Sequence, residues 1–412
     1  MLHLVNQRVV TSLIAAAFVS VSCTQEITAQ CSMDTSGYQY RVVTGHFSDH
    51  NTNLNHQNDM AMLKPTSSTS ASMDVLAGDG FDEYAVNNYW NGALDVSTVT
   101  NRMVAGDFDG DGRRDDVAAL QDLGGGATAI IVWKRLNSGS FADPVSYWSS
   151  TGYNANSTTG RVVSGDFDDD GKIDDIAAFY DYGGGETRIH VWLGTGTSLS
   201  YQGPTGWWST TGYTASNVTN RVVSGDFDRD GNLDDIAAFY DYGNGQTRIH
   251  VWLRGSSSSF TYQSSVGWWG SAGYTAGRVT GRVVAGDFDR DGKYDDITAF
   301  YDYGPGAVRA HVWQSKGGSF AYQGSGGFWG VASGYTASAL TGRIGTASLR
   351  PISWWGGYKY STIIGVYDYG ARTQKFHRWS SFGASFLSGL FGNLFGNSKS
   401  NKFSYSHVGL CN

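Results

Sequence analysis

The sequence copies itself. RVVSGDFDDDGKIDDIAAFYDYGGGETRIHVWL at 161–193 returns nearly unchanged as RVVSGDFDRDGNLDDIAAFYDYGNGQTRIHVWL at 221–253. RMVAGDFDGDGRRDDVAAL at 102–120 and RVVAGDFDRDGKYDDITAFYDYGPGAVRAHVW at 282–313 belong to the same series, and worn copies begin at Arg41 (RVVTGHF) and Arg343 (RIGTASL). The leading arginines stand at 41, 102, 161, 221, 282 and 343, so six units of about 60 residues fill the chain. Such a period argues against two or three unrelated domains. It implies one small unit, repeated, that cannot bury its faces alone.

Each unit reads as four short strands: V-V-x-G-D-F, then D-I-A-A-F-Y, then T-R-I-H-V-W, then F-x-Y-Q leading to G-W-W. Glycine-rich turns separate them, and a chain with 56 Gly, 14% aromatics and only 5 Pro has the composition of an all-β protein full of tight turns. Stacked radially, each four-stranded sheet covers its neighbour, so the expectation is a β-propeller of six four-stranded blades over residues 31–412. The ends support closure. Phe403-Ser404-Tyr405 matches a fourth strand, and Ser36-Gly37-Tyr38 supplies the element that should follow it. The N- and C-terminal segments are therefore expected to pair in one blade, with Cys31 and Cys411 joined there by a disulfide. Residues 1–29 read as a secretory leader: Arg8, then an apolar run over 9–21 that is too short to span a bilayer. Lipid anchoring at Cys23 is the alternative, and a secreted, extracellular protein is expected.

Acid concentrates in four loops of the form D-F-D-x-D-G-x-x-D-D, which hold 21 of the 37 Asp and Glu residues. Packed like charge repels unless something neutralises it. Four divalent cations would cancel the formal net charge of −8. Carboxylates fall at loop positions 1, 3, 5 and 9, with a Gly at 6 that lets the chain wrap an ion. An all-oxygen set suits calcium and disfavours zinc or copper. The candidate ligands are Asp107, Asp109, Asp111 and Asp115; Asp166, Asp168, Asp170 and Asp174; Asp226, Asp228, Asp230 and Asp234; and Asp287, Asp289, Asp291 and Asp295. Position 12 is not the Glu of an EF-hand, and a strand follows rather than a helix. The first unit carries His46 in place of the leading Asp, and the sixth has no acid, so about four structural Ca2+ ions are expected rather than six.

These loops resemble the FG-GAP or VCBS repeats of integrin α-subunit propellers, of many secreted bacterial proteins and of Psathyrella velutina type lectins. The resemblance covers about residues 40–410. It implies a secreted, calcium-bearing propeller of an adhesive or lectin kind. Such propellers often have seven blades, whereas this chain has six repeats.

In such a blade the acidic loops and the 3–4 connections share one face. The Tyr-Asp-Tyr-Gly turns and the inter-blade links share the other. Candidate ligand-binding residues on that second face are Asp181, Tyr182, Trp208 and Tyr213; Asp241, Tyr242, Trp269 and Tyr274; and Asp302, Tyr303, Trp329 and Tyr335. Aromatic surfaces beside carboxylates suit sugars, and repetition round a ring gives avidity. A core role for the same aromatics is the competing reading. The recurring His190, His250, His311 and His377 read as structural hydrogen-bonding groups within each blade, because an active site is one of a kind. The leading class is thus a carbohydrate-binding lectin or adhesion module recognising an extracellular glycan or glycoprotein. An integrin-like protein-binding ring comes second. A polysaccharide lyase or other glycan-active enzyme comes third, since no one-off acid–base pair or activated nucleophile stands out and no catalytic residue is assigned. The acidic balance excludes a nucleic-acid partner. An inserted segment, 380–402, carries an apolar stripe over 382–395 that would pack on the propeller or dock to a protein partner or membrane.

Overall fold

A computed structural model describes residues 36–47, 59–78, 84–255, 257–324, 328–349, 360–369, 374–380 and 404–409. The leader, Cys23, Cys31, Cys411 and the segment 382–395 lie outside the described residues. Among the described residues no helix is long and apolar enough to cross a membrane.

The strands assemble into six separate antiparallel sheets, each a meander of four strands from one repeat: 42–93, 103–150, 162–210, 222–271, 283–331 and 344–409. These are the six blades of a propeller. The third is typical, with strands Val162–Gly165, Asp175–Gly183 and Glu186–Gly194, and an outer strand split into Leu199–Tyr201 and Trp208–Thr210. Both faces of its middle strands are buried because period-2 alternation sends neighbours to opposite blades. Ile176, Ala178 and Trp192 pack on Ala118, Leu120, Ile130 and Val132 of blade 2. Ala177, Phe179, Ile189 and Val191 pack on Ile236, Ala238 and Trp252 of blade 4. The uninterrupted apolar D-I-A-A-F-Y strand follows from having a blade on each side.

Six such inter-blade cores exist, and the sixth closes the circle: Tyr38, Met60, Met62 and Leu76 pack against Ala347, Ile364, Val366 and Phe376. The sixth blade takes its outer strand, Ser404–Gly409, from the C-terminal segment. The N-terminal segment contributes Ser36–Tyr38 as a 3-10 turn, the counterpart of the turn that precedes every other blade. Closure thus sets the N-terminal turn and the first blade against the sixth blade, which the C-terminal strand completes. The expected Cys31–Cys411 disulfide is a correction: no disulfide is found among the described residues, both cysteines lie outside them, and closure is carried by packing and main-chain bonds instead.

Those main-chain bonds form a ring. Tyr40 N–H donates to Gly342 O at 2.8 Å, Asn101 to Tyr40, Gly160 to Asn101, Asn220 to Gly160, Gly281 to Asn220, and Gly342 to Gly281, every bond 2.7 or 2.8 Å. All six residues have φ between 59° and 71°. Left-handed backbone is costly for most side chains, which is why Gly or Asn fills five of the six positions. Beside the ring, the arginine that opens each repeat acts as a staple. Buried Arg221 donates Nε–H to Phe239 O of its own blade (3.1 Å), Nη2 to Asn217 O of the preceding link (2.7 Å) and Nη1 to Thr280 Oγ1 of the next (2.6 Å). Arg161 and Arg282 repeat the pattern.

Candidate functional site

The acidic loops follow each inner strand. In the loop that begins at Asp226, Phe227 is fully buried and anchors the turn. The Gly231 N–H donates to Asp226 Oδ2 (3.2 Å), the Asp230 N–H to Asp228 Oδ1 (3.0 Å) and the Asn232 N–H to Asp230 Oδ1 (2.9 Å). One oxygen of each carboxylate thus folds the loop. Asp107, Asp109 and Asp111 bring ligand atoms within 4.8 Å of one another, as do Asp226, Asp228 and Asp230, and Asp287, Asp289 and Asp291. In the second loop Asp166 and Asp168 converge with Asp175 instead of Asp170. The four position-9 residues, Asp115, Asp174, Asp234 and Asp295, are buried but stand outside these three-carboxylate groups.

The donor chemistry fits a hard divalent cation. Every converging atom is a carboxylate oxygen, and Oδ1 of Asp107 and of Asp226 is buried with no hydrogen-bond partner. Unpaired buried oxygens are expensive unless a cation meets them. Burial, reinforced by neighbouring carboxylates, pushes Asp115 up to about 7 and Asp174 up to about 6. A bound ion would reverse that by stabilising the ionised form.

The second Asp of each D-D pair has a different task that sequence reasoning missed. Asp235 Oδ2 accepts the Asp228 N–H (2.9 Å) and Oδ1 accepts the Arg254 N–H (3.0 Å), tying the loop to the 3–4 connection. Asp116, Asp175 and Asp296 do likewise. Adjacent loops are also chained. The N–H of His46, Asp107, Asp166 and Asp226 donates to the position-8 carbonyl of the next blade, at Arg114, Ile173, Leu233 and Tyr294, over 2.8–3.0 Å. His46 thus keeps the scaffold role of the aspartate it replaces.

On the opposite face, the 2–3 turns of blades 2 to 5 are each set by their own aspartate. Asp181 Oδ1 accepts the Gly183 N–H (2.9 Å), with Asp241 and Asp302 matching it at Gly243 and Gly304. The turn tips Leu123, Tyr182, Tyr242, Tyr303 and Tyr369 are 40–55% exposed and crown the face. Beside the third-blade turn lies a hollow of about 410 Å³ lined by Asn154, Asn156, Ser157, Arg161, Asp181 and Tyr182. Of the expected ligand residues, only Asp181 and Tyr182 line it. The asparagines of the link and the arginine were not singled out as ligand groups. Their fixed place in the repeat was the available signal for Arg161.

Tyr213, Tyr274 and Tyr335 are a correction. They are 4–7% exposed and lie in the inter-blade core, off the solvent face. They pack in the apolar clusters between blades, where the repeated histidine meets each hydroxyl. His250 Nδ1 shares a hydrogen bond with the Tyr213 hydroxyl (3.3 Å), while its Nε2 meets Tyr242 of its own turn (3.1 Å). His190, His311 and His377 make the same Tyr–His–Tyr relay. The histidine bond therefore runs between blades as well as within one. Burial lowers His190, His250 and His311 to about 4, so the rings are neutral. Trp208, Trp269 and Trp329 are half-buried and packed edge-on against the relay tyrosines at 5.2–5.4 Å. Tyr182 also has an occupied ring face: the Arg188 guanidinium sits 4.5 Å from its centroid.

No family model matches the chain, so the expected FG-GAP or VCBS membership is not shown; what stands is a six-bladed propeller. No curated protein matches it either. Among solved structures, AofleA from Arthrobotrys oligospora is similar at 9% identity and TM-score 0.47, covering 90% of this chain and 87% of that one. Two putative 6-phosphogluconolactonases are also similar. The one from Bacteroides uniformis has 11% identity, TM-score 0.41 and coverage of 86% and 83%. The one from Bacteroides fragilis has 7% identity, TM-score 0.43 and coverage of 92% and 97%.

Proposed function

We propose that the chain is an exported, calcium-stabilised propeller that binds carbohydrate on the face opposite its acidic loops, as a lectin or adhesion module. The observation that supports this most is the hollow at Asn154, Asn156, Arg161, Asp181 and Tyr182. Amide, guanidinium, carboxylate and phenol groups converge there with both donors and acceptors, which is what vicinal hydroxyls require. Because Arg188 covers a face of Tyr182, recognition rests on these polar groups and the ring edge rather than on broad stacking. Asp241 with Tyr242 and Asp302 with Tyr303 give the same turn in two further blades, so weak sites would add through avidity. Calcium would be held by the carboxylates of the four loops and would keep the inner ends of the blades in register.

A glycan array with calcium, then with chelator, tests the reading. The expected result is binding that free sugar competes away. The triple substitution Asp181→Ala, Asp241→Ala, Asp302→Ala should weaken it about tenfold or more, since each loses a charged hydrogen-bond acceptor. Chelation should lower the melting temperature. An array without hits, or a triple variant that binds as the parent does, rules the sugar-binding reading out. Binding to glycoprotein that free sugar leaves untouched would favour a protein-binding ring, for which the exposed tyrosine crown provides the surface.

A further inference from the structure

The acidic loops share a sequence but not an electrostatic setting. Position 4 of each is left-handed: Gly110, Asp169, Arg229 and Arg290 have φ of 74°, 64°, 72° and 67°. In the fourth blade the side chain at this position runs out of its own loop and into the loop of the next blade. Arg229 reaches the loop that begins at Asp287. Its Nε lies 3.1 Å from Asp295 Oδ2, and its Nη2 pairs with Asp291 Oδ2. Asp291 belongs to the converging group of that loop, and Asp295 is 1% exposed with neither carboxylate oxygen hydrogen-bonded. The loop that begins at Asp226 is set differently. In that loop Asp226 Oδ1 is buried and unpartnered. Lys293 approaches the same loop from the far side, 4.0 Å from Asp226 Oδ2, with its ammonium donating to the Arg229 carbonyl at 2.5 Å.

We propose that the four loops are unequal ion sites: Arg229 is a built-in cation for the loop 287–296 and leaves it the weakest calcium site. The inference rests on the calcium reading above. A guanidinium on Asp291 and Asp295 supplies in advance the charge that an ion would bring, so an ion must displace it or share its oxygens. Gly110 sends no side chain towards the loop 166–175, where the loop's own Lys172 pairs with Asp170 Oδ2 at 2.9 Å on the exposed rim.

Isothermal titration of CaCl2 into protein stripped with chelator and desalted decides the matter. Wild type should bind three ions, and a fourth about tenfold or more weaker, the order of effect that one unit charge exerts at a few ångströms when partly screened. Arg229→Gly, which restores the glycine found at position 110 and suits the left-handed backbone, should bring the fourth ion to the affinity of the others. Arg229→Asn should do the same. Asp289→Asn should delete the weak ion and spare the tight ones. Four indistinguishable sites in wild type, or a weak site that both Arg229 variants leave weak, overturn this inference alone. A wild-type protein that takes up no calcium overturns the calcium reading and this inference together.

Discussion

Acid should unlock the Tyr–His–Tyr relays, and the size of the effect can be worked out. His190, His250 and His311 titrate near 4 in the folded protein because burial penalises the charged ring, against about 6.5 for an exposed imidazole. Between those values the unfolded chain takes up a proton that the folded chain refuses. Stability is therefore full above pH ~6.5, falls as pH drops towards 4, and is level below it. A gap of about 2.5 units corresponds to about 3 kcal/mol per histidine, and about 2 kcal/mol at pH 5. Three relays together amount to some 10 kcal/mol, comparable with the whole stability of a typical domain. The buried Asp116, Asp175, Asp235 and Asp296, pushed up to about 8 by burial, contribute to the pH dependence with the opposite sign. The histidine part is therefore read from urea unfolding of wild type against histidine-to-glutamine variants, from pH 7 to pH 4 in saturating calcium, and should have a slope near 4 kcal/mol per pH unit at its steepest, which is three protons. His250→Gln should remove about a third of that slope, since the amide can still pair with Tyr213 and Tyr242. Histidine ring nitrogen NMR gives the site-specific check. Any of the three rings charging near pH 6.5 would falsify the burial argument. Because Nε2 holds the turn tyrosine, glycan binding should fade over the same pH range.

Two further substitutions probe the scaffold. Arg221→Ala removes three hydrogen bonds and strands two carbonyls and a hydroxyl, so it should cost about 3–5 kcal/mol, read as a drop in Tm of roughly 5–10 °C; Thr280→Val, which breaks only the inter-blade bond, should cost about 1 kcal/mol, and equal losses in the two variants would refute the three-way staple. Gly225→Ala would place a methyl 2.8 Å from Tyr294 O, the carbonyl that accepts the Asp226 N–H. It should lower Tm and weaken calcium binding at that blade, and an unchanged calcium titration would mean that the loops are not coupled through this contact.

The repeat period made the architecture legible, because one buried strand pattern recurring six times has few other ways to cover itself. The acidic loops were legible for a related reason: carboxylates at fixed spacing in a turn are a local arrangement. What the sequence hid depends on contacts between repeats. Arg221 was visible as a marker, but its partner Thr280 sits about one period downstream. Tyr213 looked like a surface ligand beside Trp208, yet it packs in the core between blades, where its hydroxyl meets His250. Arg229 occupies the variable position of the loop motif, and only its contacts with Asp291 and Asp295 show that it serves the loop after its own.

The axial circle of amides has a consequence for how freely such a chain can change. Its six links are forged by main-chain atoms, so they ask nothing of side-chain chemistry beyond tolerance of a positive φ. The opening and closing repeats have lost their acidic motifs and still supply Tyr40 and Gly342 to the circle. A blade can thus shed its cargo-bearing loops, or acquire new ones, while the hub stays intact. Novelty in this protein is cheapest at the rim and dearest at the axle.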